Sequence, residues 1–575
     1  MDAAVEDVLG QGGERTTADE APDEVGGTAA PGAGGTRGDR ALLAGLLVAV
    51  NLPVVVATVR ALAGGWQPMG DNGIMLVRAR DVGTGHHPLL GMWTSASALF
   101  DANLNHPGPL YFDTLALPVR LLGPWVGLAV GAMLVNMAAS SFAVVAGRRI
   151  SGTDSMVAVA VVVVAMQFAM GSELLFDVWQ PNALVLPFVA FLVAAAAVAT
   201  GDVAMAPWMI GIGSLVVQTH ISHAVLVAVL VLVTGGLCAR AVRRAGEPVA
   251  WRRPVVVAVV VGLVAWAQPL IEQFTSEGDG NMSRILDASS VGGATPIGWD
   301  RAPRLMAEIM ARGPWFTRDS YGRAIPPIAA DEPATGAVTF GPAVAVLVAL
   351  AVALVVVGVV STRRGRRGLA SLAWVALVAM GTALVVLATS PVNAAGISVH
   401  QMRWLWPIAA VITATLAAAL VSLVRARPRL HGGLLAVGCL SAAVVAGFNV
   451  PTFLSDSKGP TQSAPLLDDA LELVGGVEAL EGRGTVLYDD RGLLFAEPFS
   501  GMTFAEMQDR GIPFVVDNEG LIRQFGDSRR DDGTADLRLW QVQGDDARDV
   551  PPGAERLSYV ETDAGPIALF VEPID

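Results

Sequence analysis

The chain has 575 residues, of which 53% are hydrophobic and only 16% charged, whereas soluble domains carry about 25% charged residues. That excess excludes an ordinary soluble globular protein, and the net charge of −14 argues against nucleic acid, which is held through Lys and Arg. The acids sit at the two ends: residues 1–40 hold 9 acids against 3 bases and residues 449–575 hold 25 against 10, so the apolar body between them is net positive.

Residues 1–40 are rich in Gly, Ala, Thr, Asp and Glu and have no apolar periodicity, which predicts a disordered tail rather than a secretory signal peptide. Long Ala/Val/Leu runs then predict about eleven membrane-spanning helices, at 41–62, 124–147, 155–171, 183–199, 206–220, 221–239, 254–271, 339–360, 369–389, 405–424 and 433–449. The fold class expected is a polytopic α-helical membrane protein. The pair meeting at Gln218–His223 reads as two short helices joined by a polar turn. Cys238 and Cys439 fall in apolar segments and read as two buried thiols, with no disulfide framework or CxxC metal signature.

Orientation follows from the short basic loops. Arg148 and Arg149, the cluster from Arg240 to Arg253, the cluster from Arg363 to Arg367, and Arg425, Arg427 and Arg429 all fall on one side with this helix count. That side is expected to be cytoplasmic, with the N-terminus inside and the C-terminus outside. The outer segments are then the large loop 64–123, 172–182, the turn at 218–223, 272–338 and 390–403. Residues 450–575 alternate helix and strand patterns (a helix at 465–480, a strand at GTVLYDD, a helix at TFAEMQDRG, a strand at IPFVVDN, then RLWQVQG and a closing pair SYVET and IALFVEP). They predict a separate extracytoplasmic α/β domain.

Loop 64–123 holds the densest polar chemistry: Asp71, Asn72, Asp81, His86, His87, Asp101, Asn105, His106 and Tyr111 among others. Asp71 can serve as a general base toward an acceptor hydroxyl, or its carboxylate can cap a helix over NGIMLVRARDV. Asp81 and Asp101 are the reserve carboxylates. In NHPGPLYFDTLALPVRLLG (105–123) two prolines lead into an apolar segment too short to span, which reads as an interfacial or re-entrant helix. His106 and Arg120 there can meet a lipid phosphate.

FDVWQPN (176–182) offers Asp177, Trp179 and Gln180 for sugar faces and hydroxyls. Gln218, His220 and His223 interrupt apolar sequence, where polar groups are costly unless used or paired. His220 and His223 could ligate a metal, but no third ligand is evident, and no cofactor is expected. HQMRWLWP places His400 and Arg403 at a helix entrance, where Arg can anchor a phosphate or snorkel. Asn281-Met282-Ser283 is a weak glycosylation triplet. No Walker or GxGxxG phosphate loop is present.

A first outer loop with an aspartate soon after helix one, followed by HPGPLYF leading into a membrane-surface helix, resembles the GT-C superfamily of integral membrane glycosyltransferases. It looks closest to family 39-like members and to cell-envelope enzymes of high-GC Gram-positive bacteria, over roughly residues 41–450. The resemblance implies Asp71 as base, although the acidic neighbour common in such loops is replaced by Asn72. It also implies transfer of a sugar, arabinofuranose or mannose, from a polyprenyl-phosphate donor to a cell-envelope glycan, lipid or protein acceptor, with inversion, on the outer face of a bacterial plasma membrane. In that reading His106, Arg120, His400 and Arg403 hold the phosphate. Asn72, Asn105, Tyr111, Asp177, Trp179, Gln180, Gln218, His220 and His223 line the sugar and acceptor side. The competing expectations are a transporter or flippase of a lipid-linked glycan, with ionisable residues along a path through the helices, and a noncatalytic envelope scaffold.

Overall fold

The computed structural model describes residues 37–100, 102–245, 249–276, 278–290, 295–312, 315–322, 338–392, 397, 399–451, 464–493 and 497–574. Most of the expected N-terminal tail lies outside them. Residues up to Leu43 form a unit of their own, of which 37–43 are the opening turns of a helix, and Ala44–Asp575 form a second compact unit.

Among the described residues, ten helices are long and apolar enough to cross a membrane: Arg37–Ala63, Pro124–Ser151, Thr153–Met170, Gln180–Ala199, Ile221–Arg243, Arg252–Thr275, Phe340–Arg363, Arg367–Thr389, Leu405–Leu423 and Pro428–Phe448. They coincide with ten of the eleven expected spans. The eleventh is the helix Ala206–Thr219, of 14 residues. At 1.5 Å per residue it is about 21 Å long, short of a hydrocarbon core of about 30 Å. Its two ends are nevertheless pinned at opposite ends of the bundle. Asp202, just before it, pairs with Arg149 at 2.6 Å, while the Gln218 carbonyl accepts from Gly108 N–H in the large loop at 3.3 Å.

The basic clusters gather at the Arg149 end. Asp154 pairs with Arg425 at 3.2 Å and His431 at 2.9 Å, Arg366 donates to Ser422 at 2.8 Å, and Gly368 abuts the backbone of Ile150. Helix Gln180–Ala199 is almost wholly buried and forms the spine of the bundle. Arg252–Thr275 and Pro428–Phe448 expose rows such as Val256, Leu263, Val264, Val437 and Leu440, the surface expected of helices solvated by lipid rather than water.

At the other end, loop 64–123 folds around two helices. The loop helix Asp71–Asp81 is buried along most of its length. The surface helix Leu110–Leu122 buries Tyr111, Phe112, Leu115, Ala116 and Val119, at the i, i+3 and i+4 spacing of one helical face. It leaves Leu117, Leu121 and Leu122 exposed. Gly127 allows its close crossing with Pro124–Ser151, since a Cβ there would lie 2.3 Å from the Val119 backbone.

Residues 464–574 carry a five-stranded sheet in the order β2-β1-β3-β5-β4, with β1 Val486–Gly492, β2 Phe514–Val516, β3 Leu537–Gln543, β4 Glu555–Thr562 and β5 Gly565–Pro573. The β2-β1-β3 part is parallel and the β3-β5-β4 part antiparallel. β3 alternates buried and half-buried positions, as its sequence LRLWQVQ implies. Helix Ala464–Gly475 packs on β4, and helix Ser500–Asp509 packs on the loop helix. The short helix Glu519–Phe525 had no clear sequence pattern.

This region was expected to be a separate domain, but it shares one hydrophobic core with loop 64–123. Met69, Met75, Leu76, Tyr111 and Phe112 from the loop pack in the same cluster as Tyr488, Phe504, Phe514 and Phe525. Backbones meet directly: Gly70 N–H donates to the Pro498 carbonyl at 2.8 Å. A Cβ on Gly73 or Gly501 would strike the facing backbone at 2.4 and 1.9 Å, so both positions need glycine.

Candidate active site

Asp71 is the first residue of the loop helix, and Gly70, at φ 52°, takes the cap position without a side-chain cap bond. The carboxylate is therefore not spent on capping. Its Oδ2 accepts from Trp179 Nε1–H at 2.9 Å. Asp71 is reached by solvent yet walled by protein, and this loss of water raises its carboxyl above the ordinary range, with the Trp179 bond partly offsetting the rise.

Asn72 is buried and donates from Nδ2 to Asp177 Oδ1 at 2.9 Å. Asp177, itself buried, also accepts from Asn182 Nδ2 at 3.0 Å and Trp179 N–H at 3.1 Å. Desolvation raises its pKa, the three hydrogen bonds pull it down, and the nearby Asp71 charge pushes it up. Asn182 Oδ1 in turn accepts from Tyr321 O–H at 3.0 Å, whose pKa burial pushes up to about 12.

Tyr321 leads to Arg403. The guanidinium stacks 3.9 Å from the Tyr321 ring centroid and 5.2 Å from that of Trp406, and Nη1 donates to the Tyr321 carbonyl at 2.6 Å. Arg403 is 5% exposed, and its Nε has no hydrogen-bond partner. Among the described residues no carboxylate pairs with it. Burial lowers its pKa, which marks an uncompensated cation in a site built to keep it.

Histidines complete this side. The His400 ring lies 5.8 Å from Trp179, and the His106 ring 4.5 Å from His220. His220 and His223 are 6.0 Å apart. Burial pushes His106 down to about 3 and His400 to about 4, with smaller contributions from His223 and His400 for the first and Arg403 for the second. Burial also drives His220 well below the ordinary range. Burial thus favours the neutral form of His106, His220 and His400. Among the described residues, no group of three or more His, Cys, Asp or Glu side chains is placed to hold a metal ion.

The structure thus brings Asp71, Asn72, Asp177, Trp179, His106, His220, His223, His400 and Arg403 to one end of the bundle. Gln180 and Tyr111 line a small cavity there with Met75, Met92, Phe112 and Thr219. The Tyr111 hydroxyl has no partner, and burial raises its pKa. The other residues singled out in the sequence are placed differently. Arg120 is exposed beside Gly83. Asp81 is buried in a structural clamp with Arg78 at 3.0 Å, Arg529 at 2.8 Å and Gln508 at 2.8 Å. Asn105 uses its side-chain amide on the Gly91 and Arg523 carbonyls, at 3.0 and 2.8 Å. Gln218 donates to the Ala265 carbonyl at 2.7 Å. Asn281 is fully buried against Asn105, so it cannot serve as a glycosylation acceptor in the folded chain. Asp101 lies outside the described residues.

Sequence reasoning missed two members. Tyr321 stood in the WFTRDSYG patch with nothing to tie it to Arg403. Glu497 stood in the C-terminal region. It accepts from Phe499 N–H at 2.6 Å and Ser500 N–H at 3.0 Å, and burial together with the Asp71 charge raises its pKa. Its one readable signal was its place in the loop after a strand of an α/β pattern. Compared with known proteins, the chain matches no family model and no curated protein.

Proposed function

We propose that the protein is a membrane glycosyltransferase of the GT-C type, taking a sugar from a polyprenyl-phosphate donor and passing it to a hydroxyl of a cell-envelope acceptor. One observation carries this reading: Arg403 is buried with no carboxylate partner among the described residues, His400 next to it lies 5.8 Å from Trp179, and Trp179 donates to Asp71, a carboxylate that solvent can reach. An uncompensated buried cation favours a permanently anionic ligand such as a phosphate. A carboxylate raised in pKa and open to solvent suits a general base. The half-buried indole of Trp179, next to His400 and bonded to Asp71, suits a sugar ring.

In this mechanism Arg403, His106 and His400 hold the donor phosphate. Asp71 takes the proton of the acceptor hydroxyl as that oxygen attacks the anomeric carbon. The bond from that carbon to the phosphate oxygen breaks, and the electron pair leaves on polyprenyl phosphate. Arg403 stabilises the charge that develops there. Attack opposite the leaving group inverts the anomeric centre. Arg120, exposed beside Gly83, has no part in it.

Gathering of the arginine clusters at the opposite end supports an orientation with that end in the cytoplasm and the site on the outer face of a bacterial plasma membrane. Nucleotide sugars are then out of reach and lipid-linked donors within it. A transport path has less support: inside the spans, Asn136, Gln167 and Thr234 each spend a donor on a backbone carbonyl. The test is transfer from synthetic polyprenyl-phosphate sugars by the full chain in proteoliposomes. Turnover lost in Asp71→Asn supports the reading, whereas an Asp71→Asn protein with wild-type turnover removes Asp71 as base. Lipid-linked sugar that crosses the bilayer without being transferred would favour a flippase.

A further inference from the structure

Besides the shared core, the C-terminal region meets the start of the loop helix at Pro498, the residue after Glu497. Glu497, Pro498 and Phe499 lead directly into helix Ser500–Asp509. In the parallel part of the sheet, the chain passes from β1 to β2 on one side and then to β3 on the other. The crevice outside the carboxyl ends of β1 and β3 is where open α/β sheets place their ligands, an analogy at the level of fold. Glu497 stands at that crevice. Gln541 on β3 donates to Glu497 Oε2 at 3.4 Å, while Gln541 Oε1 accepts from Tyr488 O–H at 3.0 Å and Thr503 Oγ1–H at 2.9 Å. The carboxylate is thus fixed by the sheet and by two backbone N–H groups of the helix start.

The Gly70–Pro498 backbone bond brings this crevice against the start of the loop helix, one residue from Asp71 on one side and one residue from Glu497 on the other. Asn72, the next residue, is 6% exposed, and its Oδ1 has no partner. The acidic neighbour that Asp71 lacks in sequence is therefore supplied in space by another part of the chain.

We propose that Glu497 is an acceptor-binding residue of this site, accepting a hydrogen bond from a sugar hydroxyl adjacent to the one that Asp71 deprotonates. The proposal rests on the glycosyltransferase reading and deepens it: the acceptor is a polyhydroxylated glycan held jointly by loop 64–123 and the C-terminal region. Asn72 offers its Oδ1 to the same sugar. A donor bound at Arg403 does not touch Glu497.

The experiment uses the full chain in nanodiscs with short mannosyl and arabinofuranosyl oligosaccharides as acceptors. Glu497→Gln is expected to raise the acceptor KM about tenfold, the loss of one charge-assisted hydrogen bond, with the donor KM and the hydrolysis of donor by water unchanged. Glu497→Asp, which keeps the carboxylate, recovers part of the loss. An unchanged acceptor KM overturns the proposal. So does a parallel loss of donor hydrolysis, which would mark a purely structural role. Calorimetric binding of the same oligosaccharides is measured alongside. If the wild-type chain turns over no lipid-linked sugar, the glycosyltransferase reading fails, and weaker binding by Glu497→Gln than by wild type still supports Glu497 while equal binding sinks it.

Discussion

The two ends of the helix bundle carry similar side chains in opposite states. At the basic end the two buried or half-buried acids Asp202 and Asp154 each meet an arginine, Arg149 and Arg425. At the loop end Arg403 is buried with no carboxylate among the described residues, and Asp71 faces an indole N–H instead of a cation. Paired charges hold helix ends together, whereas charges kept apart at a desolvation cost mark groups held ready for a ligand. The same contrast repeats within one helix. Asp81, ten residues from Asp71, is clamped by Arg78 and Arg529 and serves the fold.

The comparison can be broken at several points. The largest effect is expected for Asp71→Asn, a loss of about 10²- to 10⁴-fold in transfer rate with little change in melting temperature. An equal loss of stability would place Asp71 with Asp81. Arg403→Gln should weaken donor binding by about 10-fold or more without lowering the stability of the empty protein, because it removes an unpaired buried charge. A marked drop in melting temperature without donor would contradict that. Asp81→Asn should do the reverse, costing about 3 kcal/mol of stability by stranding two buried guanidiniums. Its residual turnover per folded molecule is expected to stay close to wild type.

Acid should act through the histidines. His106 and His400 sit at about 3 and about 4 when folded, below the ordinary value of about 6.5, so the unfolded chain binds their protons first. Their contribution to stability is full above that value and is lost as pH falls toward 4 and then 3. Asp71 and Asp177, raised by burial, have the opposite sign and lose stability as pH rises through their folded pKa. Melting curves between pH 7 and 5 should therefore fall with acid, and less so in His106→Asn. A rise would mean that the carboxylates dominate. The smallest effect belongs to the basic end: Arg149→Gln, at a half-exposed pair, should cost under about 1 kcal/mol and leave transfer intact.

Much of this was legible in the chain. Apolar runs predicted ten spans within a few residues, because a span is a local property of about 20 consecutive side chains. The short helix Ala206–Thr219 was also expected as a span, and its flanking polar residues Asp202 and Gln218 pin it at both ends. Asp71, His106, His220, His400 and Arg403 stood out because polar groups beside lipid are costly. Less legible was which polar residues are spent on the fold. Asn105, Gln218 and Asp81 have the same chemistry as their neighbours in the site, and only the three-dimensional packing shows their backbone and ion-pair partners.

Local side-chain pattern alone therefore determined that this chain is a bundle of helices long and apolar enough to cross a membrane, with a polar loop at one end and an α/β region after it. Tertiary structure decided the rest. It joined that region to loop 64–123 through one shared core, turned the Asp71 carboxylate from a cap toward Trp179, and set Glu497 beside it across more than 400 positions of sequence. Contacts between segments so far apart leave no periodicity in either one, since each side chain satisfies its own local rules equally well with or without the other.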